Sequence, residues 1–203
     1  MLTQLDMASE LSIAYGGIIA FLFRGVNLAV ALGIVLFCTN QMGASNYGAF
    51  VLGLTVVGFV NAATGGLTAA TAYQVSNQRQ PPPVALLNGG ILSVSLGALA
   101  IGTGLFAGQV LAGDAGRESL AIGAACAAVI VNSVVAGTFL GRESLVRYNL
   151  ALVCPPLFAL IAIAVAFLAG GSKTPAVALE MYALGQWLAV TTLVVTGGIV
   201  LRG

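Results

Sequence analysis

The stretch LSIAYGGIIAFLFRGVNLAVALGIVLFC, Leu11 to Cys38, decides the fold. It is longer than the roughly 20 apolar residues that a helix needs to cross a bilayer. One charged residue, Arg24, sits near its middle. An always-charged guanidinium at that depth costs roughly 2.5–3.5 kcal/mol on insertion scales. A chain that keeps one faces it towards a bundle interior or a water-filled cavity, where it meets a partner or a ligand.

The remainder of the chain is of the same character. Hydrophobic residues are 59% of the 203 and charged residues 6%, with a mean hydropathy of +1.05. A soluble domain carries about 25% charged residues, so this chain could not cover a water-facing surface. Six segments are long enough to span: 11–38, 48–73, 84–112, 118–140, 147–170 and 175–201. The breaks are expected at Thr39–Tyr47, at Gln74–Pro83 with its three prolines, at Gly113–Arg117, at Gly141–Tyr148 and at Gly170–Thr174. Pro stops a helix and suits the first turn of the next, as Pro175 would. The expected fold is all-α, a polytopic membrane protein with six transmembrane helices in one domain, 1–203. Residues 1–10 hold Asp6 and Glu10 and no Lys or Arg, which does not fit a cleaved signal peptide.

Loop cations give an orientation. Arg79, Arg142, Arg147 and Arg202 lie in the terminus-side segments, against Arg117 and Lys173 opposite. Both termini are expected in the cytoplasm.

Several chemistries find no support. The net charge of +1 carries no nucleic-acid signal. There is no His. Cys38, Cys126 and Cys154 have no metal-type spacing and read as small apolar fillers. Nucleotide-binding, zinc-protease and nucleophile-elbow motifs are missing from the sequence, so neither an enzyme nor a cofactor is expected. Small residues, such as the Gly104–Gly108 pair and the run from Gly123, let helix backbones approach closely in lipid. Gly16–Gly17, Gly65–Gly66 and Gly89–Gly90 are also candidate bending points.

The polar residues inside the spans are few. Arg24 and Asn27, three apart, share a helix face. Asn61, Thr64, Thr68 and Thr71 step by three, four and three, a polar line along one side of the second span. Asn132 and Ser133 lie in the fourth span, Glu180 and Gln186 in the sixth. The stripe supports two readings: a hydrated cavity lined by the first two spans, or hydrogen bonds between helices, worth about 0.6 kcal/mol each. Glu180, the one carboxylate in the spans that could pair with Arg24, lies near a membrane edge. An anionic ligand is the other compensating partner, and Arg suits phosphate through its planar fork of donors.

The segment Met42-Gly-Ala-Ser-Asn-Tyr-Gly48 resembles the LGxxxYG loop between the first two spans of Wzx-type polysaccharide flippases, with Met42 where Leu is usual. Gly141-Arg-Glu-Ser-Leu-Val-Arg-Tyr-Asn149, followed by Pro155-Pro156, is similar to that family's junction between spans four and five. Ala176, Val177 and Ala178 lead into the sixth span in the family's manner. These flippases belong to the multidrug/oligosaccharidyl-lipid/polysaccharide exporter superfamily. The resemblance covers the whole chain and one six-helix lobe of a family that has two. It implies transport of a polyprenyl-diphosphate-linked saccharide by alternating access, as a dimer or with a second six-span half. Arg24, Asn27, Asn61, Thr64 and Thr68 would contact the substrate, with Arg142, Arg147 and Tyr148 at a cytoplasmic entrance. The rival expectation is a structural subunit of a larger membrane complex that uses the same helical lobe as scaffold. The expected partners are membrane lipid, the lipid-linked saccharide, a second half and, in the rival reading, other membrane subunits.

Overall fold

The computed structural model describes residues 2–112 and 116–197, with their side chains at 16–99, 101, 102 and 116–197. Among the described residues the only regular elements are helices: α1 (Leu2–Ala63), α2 (Gly65–Ser76), α3 (Pro82–Ala112), α4 (Gly116–Gly141), α5 (Leu145–Leu168) and α6 (Pro175–Thr196). Five stretches are long and apolar enough to cross a membrane: Gly16–Ser76, Pro82–Leu99, Gly116–Gly141, Leu145–Leu168 and Pro175–Thr196. Helices suit such sequences because every backbone donor finds its acceptor within the segment, and lipid offers none.

The first stretch is 61 residues, which as a straight rod would measure roughly 90 Å. It bends at Gly43, whose φ of 75° and ψ of 167° are not helical. That backbone region is open almost only to glycine. Before Gly43, α1 lies along α5. Gly16 faces Leu145, Gly33 faces Leu160, and Lys173 Nζ donates to Gln41 Oε1 at 2.5 Å. After Gly43 the chain follows α4. Gly53 faces Ile122, and Gly141 faces Ala72 and Val75 of α2. Since α4 and α5 are antiparallel neighbours joined by a short turn, the two arms of α1 run in opposite directions.

The polar loop expected at Thr39–Tyr47 is therefore helix on both sides of a single glycine. Thr39 Oγ1 returns its hydrogen bond to the Val35 carbonyl at 2.7 Å, and Met42 and Phe50 are buried in the core, so the polar residues do not open the helix. The second expected span, 48–73, is in turn interrupted at Thr64, where α1 ends and α2 begins. Helix continues through the paired glycines at 16–17 and 89–90.

The remaining helix ends follow local rules. α3 opens on Pro82. α5 ends at Leu168, two residues before Gly170, whose φ is 84°. There the Gly171 N–H caps the Ala166 carbonyl at 3.0 Å, a Schellman closure. The Thr174 side chain accepts from the Val177 N–H at the start of α6, with Pro175 in the first turn. The end of the sixth expected span, 198–201, Asp114 and Arg202 lie outside the described residues. The Gly104–Gly108 pair lies outside the described side chains.

α4 is the axis of the bundle, touching α1, α2, α3, α5 and α6. Its buried residues include Ala125, Ala128, Ile130, Val134 and Phe139. Small residues allow this crowding. A Cβ on Gly137 would sit 2.5 Å from the Thr68 carbonyl oxygen, and one on Gly185 would sit 2.4 Å from the Ala159 backbone. Gly137 and Gly141, four apart, form the close seam against α2. One apolar cluster joins α1, α5 and α6 through Cys38, Phe50, Ile163 and Leu179. Phe37 stacks on Phe167 beside it. A second cluster joins α4, α5 and α6 through Val135, Phe139, Ala151 and Val190.

The outer surface is as apolar as the core. Phe21, Phe59 and Leu168 are 76%, 72% and 75% exposed. Soluble monomers rarely expose contiguous apolar patches larger than a few hundred Å², and acyl chains would cover such a surface. Outward hydroxyls are folded back: Thr55, Thr191 and Thr192 each bond the carbonyl four residues earlier, the pattern that hides Ser and Thr inside membrane helices.

Candidate functional site

The two arms of α1 diverge from Gly43, and between them lies a cavity of about 400 Å³. Its polar groups are Arg24 and Asn27 from the first arm, Asn61 from the second, Asn132 from α4, and Tyr182 and Gln186 from α6. Leu152, Pro155 and Pro156 of α5 complete one wall. A second cavity of about 390 Å³ adjoins it, sharing Asn61, Asn132 and Leu152 and adding Thr68, Ser133 and Tyr148. Together they form a groove that runs from Arg24, level with the middle of α5, towards the α4–α5 turn.

Of the described residues, Arg24 is the cavity's only cation, and no carboxylate lines either cavity. Among the described residues Arg24 forms no ion pair and no hydrogen bond with the protein. Glu180, considered from the sequence as its partner, is taken by Arg117. Arg117 Nε and Nη2 each donate to a Glu180 carboxylate oxygen at 2.8 Å, at the far end of α4 and α6. Asp114, beside Arg117 in the sequence, lies outside the described residues. Arg117 and Glu180 thus form a bidentate clamp between two helices.

The candidates from the sequence separate into groups. Arg24, Asn27 and Asn61 line one cavity. Thr68 lines the adjoining cavity, but its hydroxyl donates to the Ser133 carbonyl at 3.1 Å. Thr64 Oγ1 donates to the Val60 carbonyl at 2.9 Å and lies 3.5 Å from Ser133 Oγ. Thr71 is buried against Gly137. The stripe therefore changes role along its length: Asn61 faces the cavity, while the threonines below it hold α2 to α4. Arg142 and Arg147 line neither cavity. Arg147 Nη1 donates to the Gly197 carbonyl at 3.2 Å, where a cation meets the negative end of α6. Arg142 sits half-buried at the α4–α5 turn.

Three residues emerge that the sequence alone did not single out as site residues. Gln186 is 3% exposed and stands beside Tyr182, four residues earlier on α6, in the same cavity wall. Asn132 has the most specific arrangement. Pro155 stands inside α5 and has no N–H, so the Ala151 carbonyl loses its helical donor. Asn132 Nδ2 supplies one, at 2.8 Å. Asn132 Oδ1 is buried and has no partner.

With one unpaired guanidinium, amides on three helices and no carboxylate, the cavity can hold an anion with hydrogen-bonding groups. Among the described residues, no group of three or more His, Cys, Asp or Glu could hold a metal ion. No family model matches the chain, and neither does any curated protein or solved structure.

Proposed function

We propose that the chain is a transmembrane transport protein that binds an anionic, hydroxyl-rich lipid in the cavity between the arms of α1. The lipid is of the polyprenyl-diphosphate-linked saccharide class. The single observation that supports this is Arg24: a guanidinium at mid-depth, in a cavity of about 400 Å³, with amide neighbours and no carboxylate. The chemistry matches a diphosphate, which Arg can grip with two parallel hydrogen bonds. The motif order of the Wzx-type flippases agrees with it. Counting the two arms of α1 as separate crossings, the second continued by α2, makes six, with both termini on the cytoplasmic side of a bacterial inner membrane.

The cavity stands open between the diverging arms, so it needs a second wall to move a polar cargo past acyl chains. A second copy of the chain, or another six-helix unit, supplies it. Binding sites at the interface of two such units, exposed alternately to each side, are the general design of repeat-built transporters.

Native mass spectrometry of the protein, extracted gently from its own membrane, tests this. A pair of six-helix units that carries an adduct of polyprenyl-diphosphate-saccharide mass is the expected result. A fixed place in a large particle of other membrane subunits, with no such adduct, would instead make this chain a scaffold.

A further inference from the structure

We infer that Asn132 is a specificity residue: its Oδ1, held at the junction of the two cavities, accepts a hydrogen bond from a hydroxyl or amide N–H of the saccharide. This rests on the ligand class proposed above and assigns the sugar's position within the groove.

The geometry leaves the Asn132 amide one orientation. A carbonyl can only accept, so the atom 2.8 Å from the Ala151 oxygen is the nitrogen. Oδ1 is thereby pinned as the free end, and it is buried without a partner. A buried acceptor left bare costs about 1–3 kcal/mol, so the site calls for a donor. Pro156 repeats the effect of Pro155 one residue on, because it leaves the Leu152 carbonyl without its helical donor. Leu152 and Asn132 both line both cavities. Asn132 Oδ1 is thus the unpartnered acceptor of a residue that lines both cavities.

A diphosphate diester cannot fill it, since at neutral pH it brings acceptors and no donors. Sugar hydroxyls and acylamino groups bring donors. The groove is thus polarised: the donors of Arg24 face the anion, and the acceptor of Asn132 faces the sugar. The cavity beyond it, with Thr68 and Tyr148 in its wall, takes the saccharide.

The test must separate reading the ligand from mending the helix. Pro155→Ala restores the N–H of residue 155, so that Ala151 no longer needs Asn132. Binding to the purified full chain is measured with two probes, polyprenyl diphosphate without sugar and the same lipid carrying an oligosaccharide. In the Pro155→Ala background, Asn132→Leu should weaken the glycosylated lipid by roughly three- to tenfold, the worth of one neutral hydrogen bond. It should leave the bare diphosphate lipid unchanged. Asn132→Asp in that background keeps an acceptor and should keep the preference for sugar. Equal losses for both probes, or no loss for either, would overturn the assignment while leaving the transporter reading in place. If Arg24→Ala spares both probes but the Asn132 effect persists, the Arg24 reading fails and Asn132 stands. Binding of neither probe by the unaltered protein overturns both.

Discussion

Asn132 supplies the hydrogen-bond donor that Pro155 withholds. Its Nδ2 meets the Ala151 carbonyl at 2.8 Å, one turn before the proline. A mid-helix proline is tolerated in an apolar bundle when a neighbouring helix satisfies the freed carbonyl. The pair should therefore be coupled in stability. Asn132→Leu is expected to cost about 1–3 kcal/mol alone, and much less in a Pro155→Ala background. Thermal unfolding of the four proteins in one detergent measures this; equal costs in both backgrounds would contradict it.

Adjacent glycines of α3 should respond with opposite signs. A Cβ on Gly89 would lie 2.4 Å from Val134 Cγ1, whereas one on Gly90 meets nothing within 4 Å. Val is stiff about χ1 and cannot swing aside. Gly89→Ala is expected to destabilise by about 1–3 kcal/mol. Gly90→Ala should stabilise by up to about 1 kcal/mol through helix propensity. Midpoint temperatures of the two variants decide it.

The reversal of the chain rests on Gly43. Its φ of 75° with ψ 167° is strained for any side chain, by about 1–3 kcal/mol. Gly43→Ala should lower stability by that amount. It should also widen the distribution of distances between spin labels on the two arms. An unchanged midpoint and an unchanged distribution would mean that the arms are set elsewhere.

Much of this architecture was legible in the residues. The apolar runs named the helices, and Pro81–Pro83, Gly170 and Thr174–Pro175 marked ends close to those observed. The three-residue step from Arg24 to Asn27 placed both on one face, and both line the cavity. What escaped depends on partners distant in sequence. Thr39 to Tyr47 is polar, yet Met42 is buried and Thr39 bonds its own helix, so it stays helical except at one glycine. A row of hydroxyls reads the same whether it faces water or a neighbouring carbonyl, and Thr68 has the carbonyl of Ser133. Arg147 looked like an entrance residue because its acceptor, the Gly197 carbonyl at the end of α6, cannot be inferred from the residues around it. Asn132 carried a signal only in combination with a proline on the next, antiparallel helix.

Arg24 should be unnecessary for folding. A guanidinium that forms no ion pair or hydrogen bond with the described protein ties no helices together, so its removal leaves the bonds of the bundle intact. Arg24→Ala is expected to match or exceed the midpoint temperature of the unaltered protein. A large drop would mean that the residue is a structural tie.

The most direct measurement is translocation of a polyprenyl-diphosphate-linked oligosaccharide in proteoliposomes, comparing the unaltered protein with Arg24→Ala at equal folded amounts. The account predicts movement of the lipid by the first and almost none by the second. Equal movement by both, or none by either, would contradict it.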